Sequence, residues 1–430
     1  MKKYLGVTII FLLVIFSIFL WYLRMPLVER FFDFNTTTTS LGEISGLVGM
    51  NLLLVTIILS GRFKFLEKYF GGLNKIYFWH HFLGGLALLF LLVHPIVLVL
   101  KYIKLSLYSA AMFLLPMTSG GAVAFGTIAL LFLILLLIFT FFIKFPYKTW
   151  KITHKFLGIV LFFGILHTFL IPSDVSLYLP LKIYMAFLVF VTILAFSYRT
   201  LFGNIFIYKF NYIVSVVHRL NEEVVEIVMS AKNEKLKFSA GQFIFISFRR
   251  GGVGREIHPF SISSAERDTK LAIIVKSLGT YTKKLQNLKV GAKVKIEGPF
   301  GIFSYLNSSN KNQVWIAGGI GITPFLSMAK SLREKNYKID LYYCVNNKNE
   351  VIYYDEFKKI SFENNNFKLI PVYSDVNGRL NINTIEHWSG DILKKDFFIC
   401  GPSGMMKSVR SLLLARGIPD KSIHSEEFTY

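Results

Sequence analysis

The apolar residues of this 430-residue chain are concentrated in its first half. Residues 1 to about 200 contain nearly all of the long apolar runs, whereas the remainder has short alternating patterns with many Lys and Asn residues. A helix needs about 20 consecutive apolar residues to cross the hydrocarbon core of a bilayer. The sequence therefore predicts a bundle of six membrane-spanning helices, at residues 4–23, 42–60, 77–100, 122–143, 153–171 and 179–198.

The distribution of basic residues predicts how this bundle is oriented. The formal net charge is +22, and when the N-terminus is placed inside, twelve basic residues fall in inside segments against five in outside segments. Positive charge stays inside, so we predict that the N-terminus and the polar half of the chain are cytosolic. We interpret the charge as this topology signal and not as a nucleic-acid binding surface. The inside residues are Lys2, Lys3, Arg62, Lys64, Lys68, Lys75, Lys144, Lys148, Lys151, Lys155, Arg199 and Lys209, and the outside residues are Arg24, Arg30, Lys101, Lys104 and Lys182.

The N-terminal segment and the cysteines exclude other classes of protein. The apolar run after Lys3 continues through Tyr22 without a small-residue cleavage site, which favours an uncleaved first span over a signal peptide. The chain has two cysteines, Cys344 and Cys400. Two cysteines predict no disulfide framework, and a cysteine-ligated iron–sulfur cluster takes about four thiolates.

Four histidines lie in two of the predicted spans. The third and fifth spans share the pattern His-x-Phe-Leu-Gly, which begins at His80 and at His154, and a second histidine follows 14 residues later at His94 and 13 residues later at His167. At 1.5 Å rise per residue, this separation is about 20 Å along a helix. Each span then places one histidine near each membrane face. Ionisable side chains inside a membrane are expensive and usually functional.

Neutral imidazole is a good axial ligand for haem iron, so the duplicated histidines predict two haem sites between the third and fifth spans. The inner pair is His80 with His154, and the outer pair is His94 with His167. His81 is an alternative inner ligand, but His80 aligns with His154 in the shared pattern. A proton relay usually recruits carboxylates, and these two spans contain none.

The third and fifth spans differ in the spacing of their histidines, and the haem hypothesis has to account for this difference. At about 100° per residue, 14 residues return nearly to the same face of a helix, but 13 residues miss it by about 140°. Either a helix distortion or a rotated haem plane must compensate in the fifth span. We also expect Gly84 and Gly158, one turn after the inner ligands, to remove bulk where a macrocycle approaches the backbone.

The polar half divides into two patterns. From Tyr212 onward, short strands, regular turns and one short helix predict a small antiparallel barrel that ends at the turn 298–301. After it, strands alternate with helices, which predicts a parallel sheet. The strand 313–317 runs into Gly318-Gly319-Ile320-Gly321-Ile322-Thr323-Pro324, and the strand 396–399 runs into Cys400-Gly401-Pro402.

These motifs resemble those of ferredoxin-reductase-type flavoproteins joined to a ferric-reductase transmembrane domain, as in the NADPH oxidases and ferric reductases. The string from His258 to Ser261 is similar to their flavin motif, with His258 and Phe260 in place of the Arg and Tyr of the soluble reductases. The resemblance implies an FAD site formed by His258, Pro259, Phe260, Ser261, Ser264, Lys276, Gly279, Thr280 and Tyr281. It implies a nicotinamide-nucleotide site formed by Gly318, Gly319, Gly321, Thr323, Pro324, Gly401 and Pro402.

The resemblance also implies the residues at the hydride-transfer site. Cys400 is expected beside it, without acting as a covalent nucleophile. Family members often end with an aromatic ring stacked on the flavin, for which Tyr430 is the first candidate and Phe428 the second. The domains implied are a haem-binding transmembrane bundle at 1–204, an FAD-binding barrel at 205–308 and a nucleotide-binding domain at 309–430.

The function expected from residues and resemblance together is transmembrane electron transfer from cytosolic NADH or NADPH, through FAD and two b-type haems, to an acceptor outside. Dioxygen and ferric complexes are the leading acceptors, and Lys101 and Lys104 near the outer pair are suited to attract anionic chelates. One alternative is a haem-bearing subunit that passes electrons to a partner protein. Another is a transporter or channel with a regulatory nucleotide domain.

Overall fold

The computed structural model describes residues 5–115, 120–249, 251–332 and 336–427. The chain divides into two compact units, the first ending at Ile207 and the second beginning at Tyr208. The first unit consists of helices, and the second contains two β-sheets. The architecture that the sequence predicts, a helical membrane bundle followed by an antiparallel and then a parallel sheet, is confirmed.

Within the described residues, six helical segments are long and apolar enough to cross a membrane. The fifth is built from two helices, and the sixth ends in a π-helical turn. In chain order the spans are Leu5–Arg24, Phe34–Leu59, Leu73–Ile103, Gly121–Phe141, Tyr147–Lys155 with Leu157–Leu170, and Leu179–Phe196 with Ser197–Leu201. Shorter helices connect them at Leu27–Arg30, Lys64–Phe70, Leu107–Phe113, Asp174–Leu177 and Gly203–Phe206.

The second span begins at Phe34, eight residues before the start that the apolar run predicts. Asp33 caps it, because its carboxylate accepts a hydrogen bond of 2.7 Å from the backbone N–H of Thr36. Thr38 then bonds back to the Phe34 carbonyl at 2.9 Å. A polar, threonine-rich stretch therefore extends the helix beyond its apolar part.

Glycines on the second span allow the third span to pack closely against it. A Cβ atom added at Gly42 would lie 2.5 Å from Leu98, and one added at Gly49 would lie 2.8 Å from Leu91. Small residues at such spacing let membrane helices approach each other. The two spans are antiparallel, and this contact fixes the height of the third-span histidines beside the second span.

The second unit opens with an antiparallel sheet in the strand order β4-β3-β6-β1-β2-β5. Its edge strands meet through a single bridge between Ile262 and Ile273, so the barrel that the sequence predicts is not closed by a continuous ladder. The helix Thr280–Leu285 lies between β5 and β6 in the chain. The strands are β1 Phe210–Arg219, β2 Val224–Ala231, β3 Phe243–Arg249, β4 His258–Ser261, β5 Leu271–Lys276 and β6 Lys293–Phe300.

A five-stranded parallel sheet follows in the order β11-β10-β7-β8-β9. Because β7 and β10 are neighbours, the loops at their carboxyl ends lie side by side, where parallel sheets bind ligands. The strands are β7 Asn312–Gly318, β8 Lys338–Val345, β9 Phe367–Tyr373, β10 Asp396–Cys400 and β11 Ile423–Glu426. The helices of this region are Ile322–Lys330, Tyr354–Glu363, Ser374–Asn377, Ile382–Ser389 and Ser403–Ala415.

Candidate redox sites

The four membrane histidines form two pairs, each with one ring from the third span and one from the fifth. The ring centres of His80 and His154 are 6.2 Å apart, and those of His94 and His167 are 6.0 Å apart. An imidazole nitrogen binds a metal at about 2 Å and lies about 1 Å from its ring centre, so two rings that share one ion stand roughly 6 Å apart. Both pairs fit an iron between them. His81 lies beside His80, with ring centres 5.5 Å apart.

Three of these rings are oriented by backbone carbonyls of neighbouring spans. The Nδ1 of His80 contacts the Thr56 carbonyl at 2.8 Å, and the Nδ1 of His94 contacts the Gly42 carbonyl at 2.7 Å. The Nδ1 of His167 contacts the Ala122 carbonyl, also at 2.7 Å. A carbonyl only accepts hydrogen bonds, so each Nδ1 carries the proton and each Nε2 has its lone pair available. This is the usual arrangement of a metal-binding histidine.

His154 differs from the other three. Its Nδ1 is buried and has no hydrogen-bond partner among the described residues. The Trp150 ring, one helical turn earlier, stacks on the imidazole with ring centres 5.3 Å apart and planes inclined by 22°. Packing against an indole therefore orients His154, where hydrogen bonds orient the other rings.

A cavity of about 540 Å³ opens around the second pair, with both His94 and His167 in its wall. Gly46 and Gly126 stand behind these rings, since an added Cβ atom would lie 2.7 Å from the Nδ1 of His94 and 2.6 Å from the Nδ1 of His167 respectively. The volume lies in the range of small-molecule and cofactor pockets. The two glycines thus give the imidazoles the room to face this cavity.

The glycines expected to accommodate a macrocycle at the first pair have other surroundings. A Cβ atom at Gly158 would lie 2.6 Å from the Phe196 ring, so this glycine permits a close helix–helix contact. A Cβ atom at Gly84 would make an ordinary contact of 3.5 Å with Thr56. The expectation that both remove bulk for a macrocycle is wrong for Gly158, because a neighbouring span already fills that space.

A helix break in the fifth span supplies part of the rotation that its 13-residue spacing lacks. Its first helix ends at Lys155 and its second begins at Leu157. Around Phe156 the hydrogen bonds run from residue i+3 to residue i, at 3.0 Å from Phe156 to Thr153 and 2.8 Å from Ile159 to Phe156. Such a turn winds more tightly than an α-helix. It adds rotation in the direction that a 13-residue step needs, which is the helix distortion anticipated from the spacing.

In the second unit, two residues of the predicted flavin site stack on each other. The rings of His258 and Tyr281 have centres 4.0 Å apart and planes inclined by 28°. The Nε2 of His258 also contacts a carboxylate oxygen of Glu256 at 3.0 Å. Pro259, Phe260 and Ser261 continue the same strand, each half-buried. The first residue of this strand therefore stacks on a ring from the helix Thr280–Leu285 and has a carboxylate at its edge.

Other predicted flavin residues are engaged within the protein. The hydroxyl of Ser264 accepts a bond from the Ala272 N–H at 3.1 Å, and Lys276 pairs with Glu223 at 3.4 Å. The Gly279 N–H donates to the Thr282 hydroxyl at 2.9 Å. The Gly279 N–H is therefore already occupied, and the pyrophosphate role expected at this turn stays a prediction.

The predicted nucleotide loops of β7 and β10 are in contact. An added Cβ atom at Gly321 would collide with the Cys400 carbonyl, and one at Gly401 would lie 2.9 Å from the Gly318 Cα. Gly319 has a φ of +52°, in the left-handed region that glycine adopts without strain. Thr323 closes the turn with a bond to the Ile320 carbonyl at 2.8 Å, and Pro324 lies buried in the helix that follows. The glycines thus create one shallow backbone surface.

Cys400 and Glu426 lie side by side in the sheet, paired between β10 and β11. Both are buried. Burial raises the pKa of the Cys400 thiol, with the Glu426 charge as a further cause, so the thiol is protonated at neutral pH. A Cβ atom at Gly301, just after β6, would lie 3.3 Å from a Glu426 carboxylate oxygen. Phe428 and Tyr430 lie outside the described residues.

Family models match three successive parts of the chain. A model of the ferric reductase like transmembrane component matches residues 45–165, which include His80, His94 and His154 and end two residues before His167. Models of an FAD-binding domain and of an oxidoreductase NAD-binding domain match residues 209–323 and 315–411. The chain belongs to the ferric-reductase-like membrane oxidoreductases with ferredoxin-reductase-type domains. The resemblance seen in its motifs is confirmed.

Relatives of this oxidoreductase match its second unit. The electron transfer subunit of dihydroorotate dehydrogenase B from Fusobacterium nucleatum is 30% identical over 44% of this chain and 76% of its own length. The glycine betaine monooxygenase reductase subunit of Pseudomonas aeruginosa is 27% identical over 44% of this chain, which spans only 56% of that relative. The FAD/NAD binding domain of nitric oxide dioxygenase from Vibrio cholerae has a TM-score of 0.45, with 24% identity over 51% of this chain and 98% of its own.

A charged cluster forms one end of the cavity at the second pair. Glu43, Asp174 and Lys101 contribute to the cavity wall. Arg30, which is 2% exposed, binds the Asp174 carboxylate at 2.6 Å and lies 3.8 Å from that of Glu43. Lys104 instead packs over the Phe34 ring at 3.6 Å. Of the two lysines singled out in the sequence, Lys101 is therefore the one that faces this cavity.

Several residues at these sites were missed by sequence reasoning. Gly46 and Gly126 support the second pair from other spans, and a Gly-x-x-x-Gly spacing from Gly42 to Gly46 was a signal that could have found the first of them. Glu426 sits in an acidic tail that has no local motif. Its importance depends on the pairing of β10 with β11, which a single sequence does not reveal.

Proposed function

We propose that this membrane oxidoreductase carries electrons from NADH or NADPH, through FAD and two haems, to an acceptor on the far side of the membrane. The observation that supports it best is the presence of two imidazole pairs with ring centres 6.0 and 6.2 Å apart, on spans that place them at different heights. In three of the four rings Nδ1 donates a hydrogen bond to a carbonyl, which leaves the Nε2 lone pair available to bind a metal.

The cofactors supply the redox chemistry: FAD accepts a hydride and releases single electrons, and haem iron carries one electron at a time. The chain supplies position. His80 with His154 would hold the inner haem, and His94 with His167 the outer haem. Because two histidines would be committed to each iron, an acceptor would receive electrons from the outer group without binding its metal.

In the second unit, the chain would position the nicotinamide against the flavin. The glycine surface at Gly319, Gly321 and Gly401 lets a dinucleotide approach the backbone. The Cys400 thiol, protonated because burial raises its pKa, offers a small neutral surface beside the ring that gives up hydride. Glu426, buried beside Cys400 in the sheet, would favour the nicotinamide form that carries positive charge when its carboxyl group is ionised.

The orientation follows from the charge of the loops. With the N-terminus inside, the nucleotide-binding unit is cytosolic, where NADH and NADPH are available, and the His94–His167 pair lies near the outer face. Lys101 in the wall of the outer cavity suits a small or anionic acceptor. Dioxygen, which would give superoxide, and ferric chelates are the acceptors proposed.

Anaerobic reduction of the purified full-length protein tests this function. Addition of NADPH, and separately of NADH, is expected to shift the haem absorbance bands to their reduced positions after the flavin bleaches. Dioxygen or a ferric chelate should then restore the oxidised bands. A flavin that bleaches while haem bands stay oxidised, or a protein without haem absorbance, would contradict the proposal. His81→Ala serves as the matched control and should behave as the unaltered chain.

A partner protein is the second candidate acceptor, because both relatives above are subunits by name, one a reductase subunit and the other an electron transfer subunit. If the chain is such a subunit, the reduced haem bands will persist after dioxygen or ferric chelate is added. Turnover of either small acceptor by the purified chain alone argues against it.

A further inference from the structure

The two imidazole pairs are not equivalent in their hydrogen bonds. In the second pair both rings donate from Nδ1 to a carbonyl, that of Gly42 or of Ala122, at 2.7 Å. In the first pair only His80 donates, to the Thr56 carbonyl at 2.8 Å. The buried Nδ1 of His154 has no partner among the described residues.

A hydrogen bond at Nδ1 changes what the imidazole offers to a metal at Nε2. Partial loss of the Nδ1 proton to an acceptor makes the ring more basic and more electron-donating. A more donating ligand stabilises ferric iron more than ferrous iron, which lowers the reduction potential of a haem. The outer pair has two such ligands and the inner pair has one.

We propose that His154 makes the inner haem the higher-potential member of the pair, and that Trp150 maintains this by covering the imidazole with a ring that offers no acceptor atom. The inference rests on the proposed function, because it needs a haem at each pair. Trp150 is a positioning residue, since it acts through His154 and not on the iron. The indole N–H is a donor only, so it cannot accept the Nδ1 proton.

The side chain at position 150 provides the test, because it lies one turn before His154 and side chains four residues apart on a helix meet. Trp150→Gln and Trp150→Glu each introduce an oxygen that can accept from the Nδ1 of His154. Trp150→Phe is the matched control, since it keeps an aromatic face and adds no acceptor. The readout is a spectroelectrochemical titration of the haem bands in the full-length protein, together with the low-spin EPR g-values.

We expect two haem components in the unaltered protein. Gln or Glu at position 150 should lower the potential of the higher-potential component, change its g-values and leave the other component in place, with haem content unchanged. Phe should leave both potentials where they were. If neither Gln nor Glu moves a component, or if the lower-potential component moves, the inference is overturned.

A second measurement assigns the components without altering position 150. His94→Ala removes a ligand of the outer pair only, and the single component that remains should be the one with the higher potential. Retention of the lower-potential component would overturn the inference as well. A purified chain with no bis-imidazole haem spectrum would instead mean that the proposed function itself is wrong, so the two failures are distinguishable.

Discussion

The carbonyl oxygens of Gly42, Thr56 and Ala122 set the tautomer of the histidines that they contact. A buried carbonyl needs a donor, and the histidine needs its proton at Nδ1 if Nε2 is to bind a metal. Each contact satisfies both requirements at once. At the scale of single residues, the proposed haem sites therefore depend on backbone atoms of spans that carry none of the four histidines.

The glycines behind the second pair give the first prediction. Gly46→Ala and Gly126→Ala each place a methyl group within 2.7 Å of an Nδ1 atom of His94 or His167, which displaces the ring and breaks its bond to the carbonyl. We expect haem content to fall from two per chain to one in a pyridine haemochrome assay. Gly85→Ala is the control, because an added Cβ atom there meets no atom within 4 Å. Full haem content in the Gly46 and Gly126 variants would contradict the cavity assignment.

The two cysteines give a second prediction, from their positions in one sheet. Cys400→Ser should retain FAD but slow flavin reduction by nicotinamide, by roughly tenfold to a hundredfold if the nicotinamide is misplaced. Stopped-flow bleaching of the flavin measures this rate. Cys344→Ser, near the end of β8 and separated from β10 by β7, should leave the rate unchanged. Burial raises the pKa of Cys344 to about 12, so neither thiol should contribute a thiolate to the pH profile between pH 6 and about 9. Equal rates in both variants would remove Cys400 from the site.

Helices and strands bring together residues that are far apart in the chain. Arg30 lies between the first and second spans and binds Asp174, which lies between the fifth and sixth spans, at 2.6 Å. Its guanidinium lies over the Trp21 ring at 3.7 Å and donates a hydrogen bond of 2.6 Å to the Trp21 carbonyl. Because Glu43 of the second span also lies 3.8 Å from this side chain, four helical segments meet at one guanidinium. Arg is suited to such a place because its planar group makes several bonds in fixed directions.

Removal of this guanidinium should loosen that end of the bundle. Arg30→Met leaves the Asp174 carboxylate buried without its closest partner, and breaking a buried pair costs about 3–5 kcal/mol. Thermal unfolding in detergent, followed by haem absorbance, should show a clearly lower midpoint. Arg24→Met is the control, because Arg24 is 39% exposed and lies 4.0 Å from the same carboxylate, where a loss below about 1 kcal/mol is expected. Equal midpoints for both variants would count against the buried pair.

The break at Phe156 gives a prediction at the scale of a whole span. Insertion of one alanine after Phe156 would lengthen the step from His154 to His167 from 13 to 14 residues. Because the tight turn already supplies part of the rotation, the added residue would rotate His167 too far. We expect His167 to turn away from His94 by about 100° and its bond to the Ala122 carbonyl to be lost. Haem content should fall to one per chain. Two haems in the insertion variant would mean that the turn does not set the phase of this span.

Sequence patterns predicted the larger elements well, because apolar run length and strand alternation are local properties. The six spans, the antiparallel sheet and the parallel sheet were all predicted in order, and the histidine pairing followed from a repeated motif at two positions. The ends of the helices were less predictable. Asp33 begins the second span through a capping hydrogen bond, which a hydropathy pattern does not show. Gly158 was misjudged because its neighbour, Phe196, belongs to another span.

At the scale of the whole molecule, the chain joins a membrane unit to an oxidoreductase unit with FAD-binding and NAD-binding domains within one polypeptide. The three family models follow each other from residue 45 to residue 411 with the membrane component first, which is the reverse of the proposed path of the electrons. The membrane unit contains paired imidazoles but, among the described residues, no group of three or more His, Cys, Asp or Glu side chains that would suit a non-haem metal. Paired ligands and a large cavity suit a planar metal cofactor with two axial positions.

The most direct test of the account is the haem content of the purified full-length protein, measured for the unaltered chain and for alanine at each of the four paired histidines. The account predicts two low-spin haems per chain, with one lost in His80→Ala and His154→Ala and the other lost in His94→Ala and His167→Ala. Haem content that is zero, or that stays the same when these histidines are replaced, would contradict it.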